Sequence, residues 1–333
     1  MDSFTHIVLG AAAGEAVLGK KVGNKALAWG AFAGSIPDFD VAVTSFFEPV
    51  QSLFVHRGFS HSIVFALLIA PLLGWVLSKI HRDATFRQWT GLALASILIH
   101  STIDCFNTYG TALLEPFSNA RLAFDSIGII DFFLLIPLIV IIVLILFRAQ
   151  HESIRRKLAN AGLIFTLTFV ILSVVNKLYI ESKIKQELTN QGIEFSRLKT
   201  SPLPISNFLW LALAEDSAGY HYGYVSNFDK KSVEFSYIPR NRSHIAKIVN
   251  NPKIKELIRF TDGFYSAERK PNGSLWIYDL RFGSMAFDDE KNWYVFSFKI
   301  EEGENIAVSR SHPNRSFGLK TFSSYWNRVL RDY

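Results

Sequence analysis

The sequence predicts a mainly α integral membrane protein: a helical bundle followed by a soluble α+β C-terminal domain. Hydrophobic residues make up 49% of the 333 residues, and they are concentrated in long segments before residue 180. Because 19% of the residues are charged, the chain is not uniformly apolar, and its apolar residues must form separate segments. After residue 205 the pattern changes to short runs of aromatic and β-branched residues with turn signals between them, which is typical of strands.

Four apolar segments approach the ~20 residues that cross a hydrocarbon core of ~30 Å. They cover residues 62–79, 87–103, 130–147 and 161–180, and we expect them to form four long spanning helices. Two shorter segments, 4–19 and 24–36, are rich in Gly and Ala, which allows helices to pack closely. We expect two shorter N-terminal helices there, so that residues 1–180 form one transmembrane domain.

A polar connector at residues 181–204 separates this domain from a predicted soluble α+β domain at residues 205–333, and Pro202 and Pro204 mark its end. An amphipathic helix is predicted around residues 243–258, and Pro271-Asn272-Gly273 predicts a hairpin turn. The predicted strands cover residues 208–214, 220–228, 232–238, 274–282 and 292–300.

Basic residues are distributed unevenly among the loops of the membrane domain. The formal net charge is +6, and three connections between the apolar segments are basic, at residues 20–25, 79–87 and 148–157. The loops at the opposite helix ends carry only Arg57 and Arg121. Because basic loops stay on the cytoplasmic side, we expect the opposite helix ends and the C-terminal domain to face outward. We assign this charge to membrane orientation and predict no nucleic-acid partner.

Histidine and aspartate residues collect at the outward ends of the predicted helices. His100 and Asp104 are four residues apart, so both side chains project from one helix face, and Asn107 extends that face. Such a pair can bind one metal ion together, or the carboxylate can orient the imidazole. The alternative is a polar pair that forms hydrogen bonds between helices.

The sequence HRGFSHS at residues 56–62 places His56 and His61 just before a predicted helix, where Ser60 can cap the helix start. Arg57 between them suits an anion, because guanidinium binds phosphate or carboxylate with two hydrogen bonds. Asp38 and Asp40 follow Pro37, where the second helix must end, and both carboxylates can face the same cavity.

These motifs together predict a metal site built from nitrogen and oxygen, because the single cysteine, Cys105, excludes a thiolate-rich zinc site. The number of candidates suggests one or two divalent ions, with zinc favoured and Mn, Fe or Mg also compatible. The predicted metal ligands are His6, Asp38, His56, His61, His100 and Asp104; the predicted catalytic residues are Asp40, as general base, and Arg57; the supporting candidates are Asp125, Asp131, Asn107 and Ser60.

With HxxxG at 6–10, PDxD at 37–40, HRGxSHS at 56–62 and HxxxD at 100–104 followed by NTYGT, residues 1–180 resemble the membrane-bound metal-dependent hydrolases of the YdjM-like group. The resemblance implies a bacterial or archaeal inner-membrane protein with metal-dependent hydrolase activity, and a more distant likeness to zinc-dependent phospholipase C. The positions that match the group's motifs are His6, Asp38, Asp40, His56, Arg57, His61, His100 and Asp104. The region after residue 200 resembles the C-terminal extension of some longer members.

The sequence therefore predicts a hydrolase that acts on a phosphoester or lipid-linked, anionic substrate at the outer membrane surface. Two alternatives stay open. The first is a metal or proton transporter, whose ionisable residues should run through the middle of the bilayer. The second is a non-catalytic membrane protein that has kept a metal site. The sequence indicates no oligomeric state.

Overall fold

The structure, a computed structural model, describes residues 1–148, 151–284, 294–303, 305–311 and 318–331. The chain forms two compact units. The first contains Met1–Phe47, Phe54–Val174 and Pro204–Ser206, and the second contains Glu48–Leu53, Val175–Leu203 and Asn207–Tyr333. One of the boundaries between the two units falls inside a long helix, between Val174 and Val175.

The N-terminal half of the chain is helical. Two short 3-10 turns, Pro37–Phe39 and Phe59–His61, interrupt the series of helices. The helices are α1 (Ser3–Val22), α2 (Asn24–Ser35), α3 (Asp40–Thr44), α4 (Pro49–Val55), α5 (Ile63–Ile80), α6 (Phe86–Asp104), α7 (Phe132–Phe147) and α8 (Glu152–Asn190).

Helices α1 and α2 form a close pair through small residues. Asp2 caps the start of α1 by accepting a hydrogen bond from the Thr5 amide, and Gly23, at a φ of +59°, turns the chain into α2. Gly10 lies so near α2 that a Cβ atom placed on it would be 2.5 Å from the carbonyl oxygen of Gly30. The spacing of small residues seen in tightly packed membrane helices therefore brings the two backbones into direct contact.

The prediction of four long spanning helices is wrong. Within the described ranges, two helices are long and apolar enough to cross a membrane, α5 and α8, and only 22% of the most apolar window of each is buried. Helix α7 has 16 residues and is shorter than a full span. Helix α6 is instead the centre of the first unit, where Trp89, Leu92 and Ile97 are completely buried. Its apolar residues therefore face protein, which hydropathy along the chain cannot distinguish from residues that face lipid.

A buried ion pair joins α8 to α1. The Arg155 side chain donates from Nε and Nη2 to the two carboxylate oxygens of Glu15, at 2.9 and 2.6 Å, and from Nη1 to Asn24 at 2.9 Å. Both charged side chains are almost fully buried. Since each charge would be costly without the other, this pair fixes which face of α8 meets α1.

The second unit is built mainly of antiparallel sheet. Two four-stranded sheets, each in sequential strand order, are accompanied by the short helices α9 (Pro252–Phe260) and α10 (Leu319–Val329), which is a smaller helical share than the predicted α+β arrangement. Residues 292 and 293 of the predicted strand 292–300 lie outside the described residues. The strands are β1 (Arg197–Pro202), β2 (Leu209–Glu215), β3 (Gly219–Ser226), β4 (Ser236–Pro239), β5 (Tyr265–Arg269), β6 (Leu275–Ser284), β7 (Tyr294–Glu301) and β8 (Ala307–Ser311).

The C-terminal turns of α8 belong to the core of this second unit. Ile180, Ile184 and Leu188 are fully buried and cluster with Trp210 and Val225 from strands β2 and β3. These three positions are four residues apart and so form one apolar stripe. The polar segment after residue 180 is therefore helical because a sheet covers its apolar face.

Candidate metal centre

Three separate parts of the first unit place histidine and aspartate side chains at one point. His100 and Asp104 occupy the last turn of α6. Asp38 lies in the 3-10 turn that Pro37 opens after α2. His61 ends the turn before α5, where Ser62 caps the helix by accepting a hydrogen bond from the Phe65 amide. Proline at the start of one turn and a serine cap after the other fix where these side chains leave the backbone.

Among the described residues, Asp38, His61, His100 and Asp104 form a group whose potential ligand atoms all lie within 4.8 Å of one another. The Nε2 atoms of His61 and His100 are 3.1 Å apart. The Oδ2 atom of Asp104 lies 3.5 Å from His61 Nε2 and 3.8 Å from His100 Nε2, and Asp38 Oδ1 lies 3.6 and 3.7 Å from the same two nitrogens. Two imidazoles and two carboxylates are a suitable ligand set for a divalent cation.

Burial supports a cation at this position. The side chains of His61, His100 and Asp104 are at most 1% exposed, and Asp38 alone reaches solvent, at 14%. Asp104 Oδ2 forms an ion pair with Arg57 Nε at 3.1 Å, and among the described residues neither atom has a well-aligned hydrogen bond. Buried polar atoms normally form hydrogen bonds, so a carboxylate oxygen that faces two imidazole nitrogens without a well-aligned hydrogen bond fits a metal ligand.

His6 lies beside the group. Its ring stacks on that of His100, with the ring centres 3.6 Å apart, and its Nε2 is 3.1 Å from Asp104 Oδ1. The Met1 amino group also contacts this oxygen. Both ring nitrogens of His6 are buried, and among the described residues Nδ1 has no hydrogen-bond partner. His6 is therefore a further nitrogen donor within reach of the same carboxylate.

Asp40 organises the loop that carries the histidines. It accepts hydrogen bonds from the Ser60 hydroxyl at 2.6 Å and from the Arg57 amide at 3.0 Å. Its carboxylate is also 2.9 Å from His56 Nδ1 and 3.4 Å from His61 Nδ1. Since His61 uses Nδ1 toward Asp40, its Nε2 points toward Asp38 and Asp104. The structure thus places Asp40 and Ser60 beside the converging group, and it places His56 against Asp40, outside that group.

Arg57 and Asn107 close the group on the side of Asp104. The Arg57 side chain is 5% exposed and contacts Asp104, and Nη1 donates to Asn107 at 3.4 Å. Arg57 has a positive φ of 58°, which is uncommon for a residue with a side chain. The backbone of this loop is therefore held in a demanding conformation at the site.

From the sequence, Arg121 is predicted only to contribute a charge to a loop, but in the structure it holds two loops together. It donates to the carbonyl oxygens of Phe54, His56 and Gly110, at 3.3, 2.9 and 2.9 Å. These bonds join the loop that carries His56 and Arg57 to the segment after α6. A single arginine in a loop carries no sequence pattern that predicts such a role.

The structure does not bring Asp125 or Asp131 into the converging group. Asp131 caps α7 by accepting a hydrogen bond from the Phe133 amide at 2.9 Å, as its place before an apolar helix suggested. Asp125 is buried in the segment that follows α6, with a φ of +49°.

The charges of the loop residues are strongly coupled. Burial acts to raise the pKa of Asp38 and of Asp40, but hydrogen bonds with His61, and for Asp40 also with His56, hold both pKa values well below the usual range. Burial acts to lower the pKa of His61, but hydrogen bonds to Asp104, Asp38 and Asp40 prevail and raise it to about 9. At neutral pH ionised carboxylates thus surround a positive charge, which a bound cation would also supply.

Asp40→Asn is expected to weaken metal binding without removing a converging ligand. Loss of its charge frees His61 to rotate, and loss of such an outer partner costs about 10–100-fold in metal affinity. Asp83→Asn is the matched control, since Asp83 pairs with exposed Lys25 in a distant loop. Competition with a fluorescent zinc chelator measures both variants in detergent. Equal metal affinities of the two variants would show that Asp40 does not position His61 for metal binding.

Comparison with known proteins identifies relatives over the N-terminal part. A family model described as "YdjM inner membrane protein" matches residues 1–180. The Bacillus subtilis (strain 168) "Uncharacterized protein YfhP" is 33% identical over 143 residues, which are 41% of this chain and 43% of that protein. The Escherichia coli (strain K12) "Inner membrane protein YbcI" is 31% identical over 119 residues, which are 35% of this chain and 68% of that protein. The chain thus matches less than half of the Bacillus protein's length. No solved structure matches the chain.

Proposed function

Because the chain belongs to the YdjM inner membrane protein family and is a membrane protein, we propose that it is a membrane-embedded metal-dependent hydrolase. The proposed substrate is a phosphoester or lipid-linked molecule at the outer membrane surface. The observation that carries this proposal is the convergence of Asp38, His61, His100 and Asp104 within 4.8 Å. A buried group of this composition has a clear use in hydrolysis, because a divalent cation, when bound, lowers the pKa of water and polarises an ester oxygen.

The four converging residues are the proposed ligands of one ion. Their nitrogen and oxygen donors suit zinc, and they also accept Mn, Fe or Mg. His6, a buried imidazole whose Nε2 lies 3.1 Å from Asp104, is the proposed additional ligand if a second ion binds. The partial exposure of Asp38, at 14%, makes its side of the group the proposed approach for the substrate.

The pair of Asp40 and His56 is the proposed route for the proton. The Nδ1 atom of His56 lies 2.9 Å from Asp40, and its side chain is 24% exposed, so Nε2 can exchange a proton with water or a leaving group. In hydrolysis an oxygen of water bonds to phosphorus, the ester P–O bond breaks, and a proton moves to the departing alkoxide. His56 carries that proton, while Arg57 opposes the negative charge of Asp104 and the substrate.

The arrangement favours a hydrolase over a transporter. A permeation path needs ionisable groups along the depth of the bundle. Here the histidines and aspartates gather at the end of α2, the end of α6 and the turn before α5. Away from that end, the buried charges Glu15 and Arg155 are bound to each other. The basic loops at the opposite helix ends support an extracytoplasmic position for the site.

His56→Gln is expected to lower kcat by about 10²–10⁴-fold, the usual contribution of a general acid or base, while bound metal stays at the wild-type amount. The assay uses purified protein in detergent, depleted of metal and reloaded with Zn, Mn, Fe or Mg. The substrates are bis(p-nitrophenyl) phosphate and a fluorescent phospholipid.

Activity of the wild-type protein should appear only after metal is added. A protein that binds metal yet cleaves neither substrate would contradict the proposed enzyme and favour a non-catalytic membrane protein with a metal site. Full activity of His56→Gln would contradict the proposed proton transfer by His56.

A further inference from the structure

A groove on the first unit leads to the metal group. Its volume is about 460 Å³, within the range on the order of 300–1,000 Å³ that is typical of ligand sites. Asp38 belongs both to the groove and to the converging group, so the groove and the proposed reaction centre are continuous. The lining residues come from α1, α2 and the turn after α2: Ser3, Ile7, Ala31, Phe32, Ser35, Asp38 and Phe39.

The lining of the groove combines apolar walls with a polar part. Ile7, Phe32 and Phe39 form apolar walls and are 39%, 42% and 53% exposed. The Ser35 hydroxyl donates to the carbonyl oxygen of Ala31 in its own helix, at 2.9 Å, so it adds little polarity to the wall. The polar end is formed by Asp38, with the Ser3 hydroxyl 3.4 Å from its carboxylate. A molecule that matches this pattern has an apolar chain and a polar head.

We propose that this groove binds the hydrocarbon chain of a lipid phosphoester, with the polar head at Asp38. The identity of the head rests on the proposed hydrolase function, whereas binding of the chain does not. A membrane protein whose groove walls are exposed and apolar can receive such a chain directly from the bilayer. Because the chain passes from one apolar environment to another, transfer from water does not drive its binding, and the fit of the chain to the groove together with the contact of its head at Asp38 must hold it.

The size of the groove favours a lipid chain over a protein helix. One turn of a helix about 10 Å wide and 5.4 Å long occupies about 420 Å³. A single turn would therefore fill the groove, and it would also cover Asp38, which is the partly exposed member of the metal group. A narrow chain leaves room for the polar head beside Asp38.

Photocrosslinking tests the groove without any reaction at the metal. The purified protein is placed in nanodiscs that contain a phospholipid with a diazirine in its acyl chain, and labelled residues are mapped by mass spectrometry. Labelling of Ile7, Phe32 and Phe39 should saturate and should be reduced by unlabelled lipid. Leu68 and Ile171 provide the reference, because they are 60% and 54% exposed on the two long apolar helices and should label in proportion to bulk lipid.

Three variants test whether the labelling depends on the groove or on the surrounding lipid. Ala31→Phe fills the groove and is expected to reduce saturable labelling at least fivefold. Ala28→Phe is the matched control, since Ala28 is exposed on the same helix and does not line the groove. Phe39→Ser removes an exposed part of the wall and should also reduce labelling, which keeps the test available if Ala31→Phe does not fold.

Labelling in the groove that rises linearly with lipid, as at Leu68, would overturn the inference even if the protein hydrolyses esters. Saturable labelling in a protein that cleaves no substrate would uphold the groove and contradict the proposed enzyme. Equal loss of labelling in Ala31→Phe and Ala28→Phe would also overturn the inference.

Discussion

Asp104→Asn is expected to abolish stoichiometric metal binding, with a loss of affinity of at least about 100-fold, the upper end of what an outer partner contributes. Asp104 is the most connected residue of the site: one carboxylate oxygen faces His61 and His100, and the other faces His6. The amide supplies no negative charge to hold a cation. Metal content per protein, measured by elemental mass spectrometry after dialysis, gives the result.

Two further variants control this experiment. Removing the carboxylate also leaves buried Arg57 without its partner, which costs about 3–5 kcal/mol in comparable cases, so Asp104→Asn can lower stability as well. Asp38→Asn removes a more exposed ligand and should reduce metal content in a folded protein. Cys105→Ser changes the adjacent residue outside the group and should keep the metal. Wild-type metal content in both aspartate variants would contradict the site.

Gly14→Ala is expected to destabilise the helical unit, whereas Gly91→Ala is expected to be neutral or stabilising. A Cβ atom on Gly14 would overlap the carbonyl oxygen of Ala26 and lie 2.9 Å from the Cα of Gly30, so α1 and α2 would have to separate. Such overpacking costs about 1–3 kcal/mol or more. A Cβ on Gly91 meets open space, and replacing glycine inside a helix gains about 0.5–1 kcal/mol.

Thermal unfolding of both variants can be followed with a thiol-reactive dye, because Cys105 is the single cysteine and is only 2% exposed. Separation of α1 and α2 should also weaken metal binding, since the Gly34 carbonyl oxygen lies against His100 Nδ1 and α1 carries His6. Equal melting temperatures for Gly14→Ala and Gly91→Ala would contradict the close packing of the two helices.

Local spacing predicted part of this structure. The interval of four residues places His100 and Asp104 on one face of α6, and Pro37 ends the helix before Asp38. The family resemblance inferred from the motifs is confirmed over residues 1–180, whereas the likeness to zinc-dependent phospholipase C stays a prediction. These features could be predicted because each depends on residues that are close in sequence.

Features that depend on tertiary packing could not be predicted from the sequence. Hydropathy predicts that both α5 and α6 span the membrane. Neighbouring helices bury α6, however, and of these two helices only α5 is long and apolar enough to cross a membrane. His56 and His61 occur in one motif, but Asp40 binds His56 and directs His61 toward the other group members. Strand β1, with the sequence RLKTSP, lacks a strand pattern and is defined by its pairing with β2.

X-ray absorption at the zinc edge of the zinc-loaded protein in detergent tests the central claim most directly, because it reports the atoms bound to the ion. The account predicts nitrogen and oxygen neighbours at about 2.0–2.2 Å, with outer scattering from the imidazole rings of His61 and His100. This spectrum should disappear in Asp104→Asn. A spectrum without imidazole scattering, or one with a sulfur neighbour from Cys105, would contradict the account.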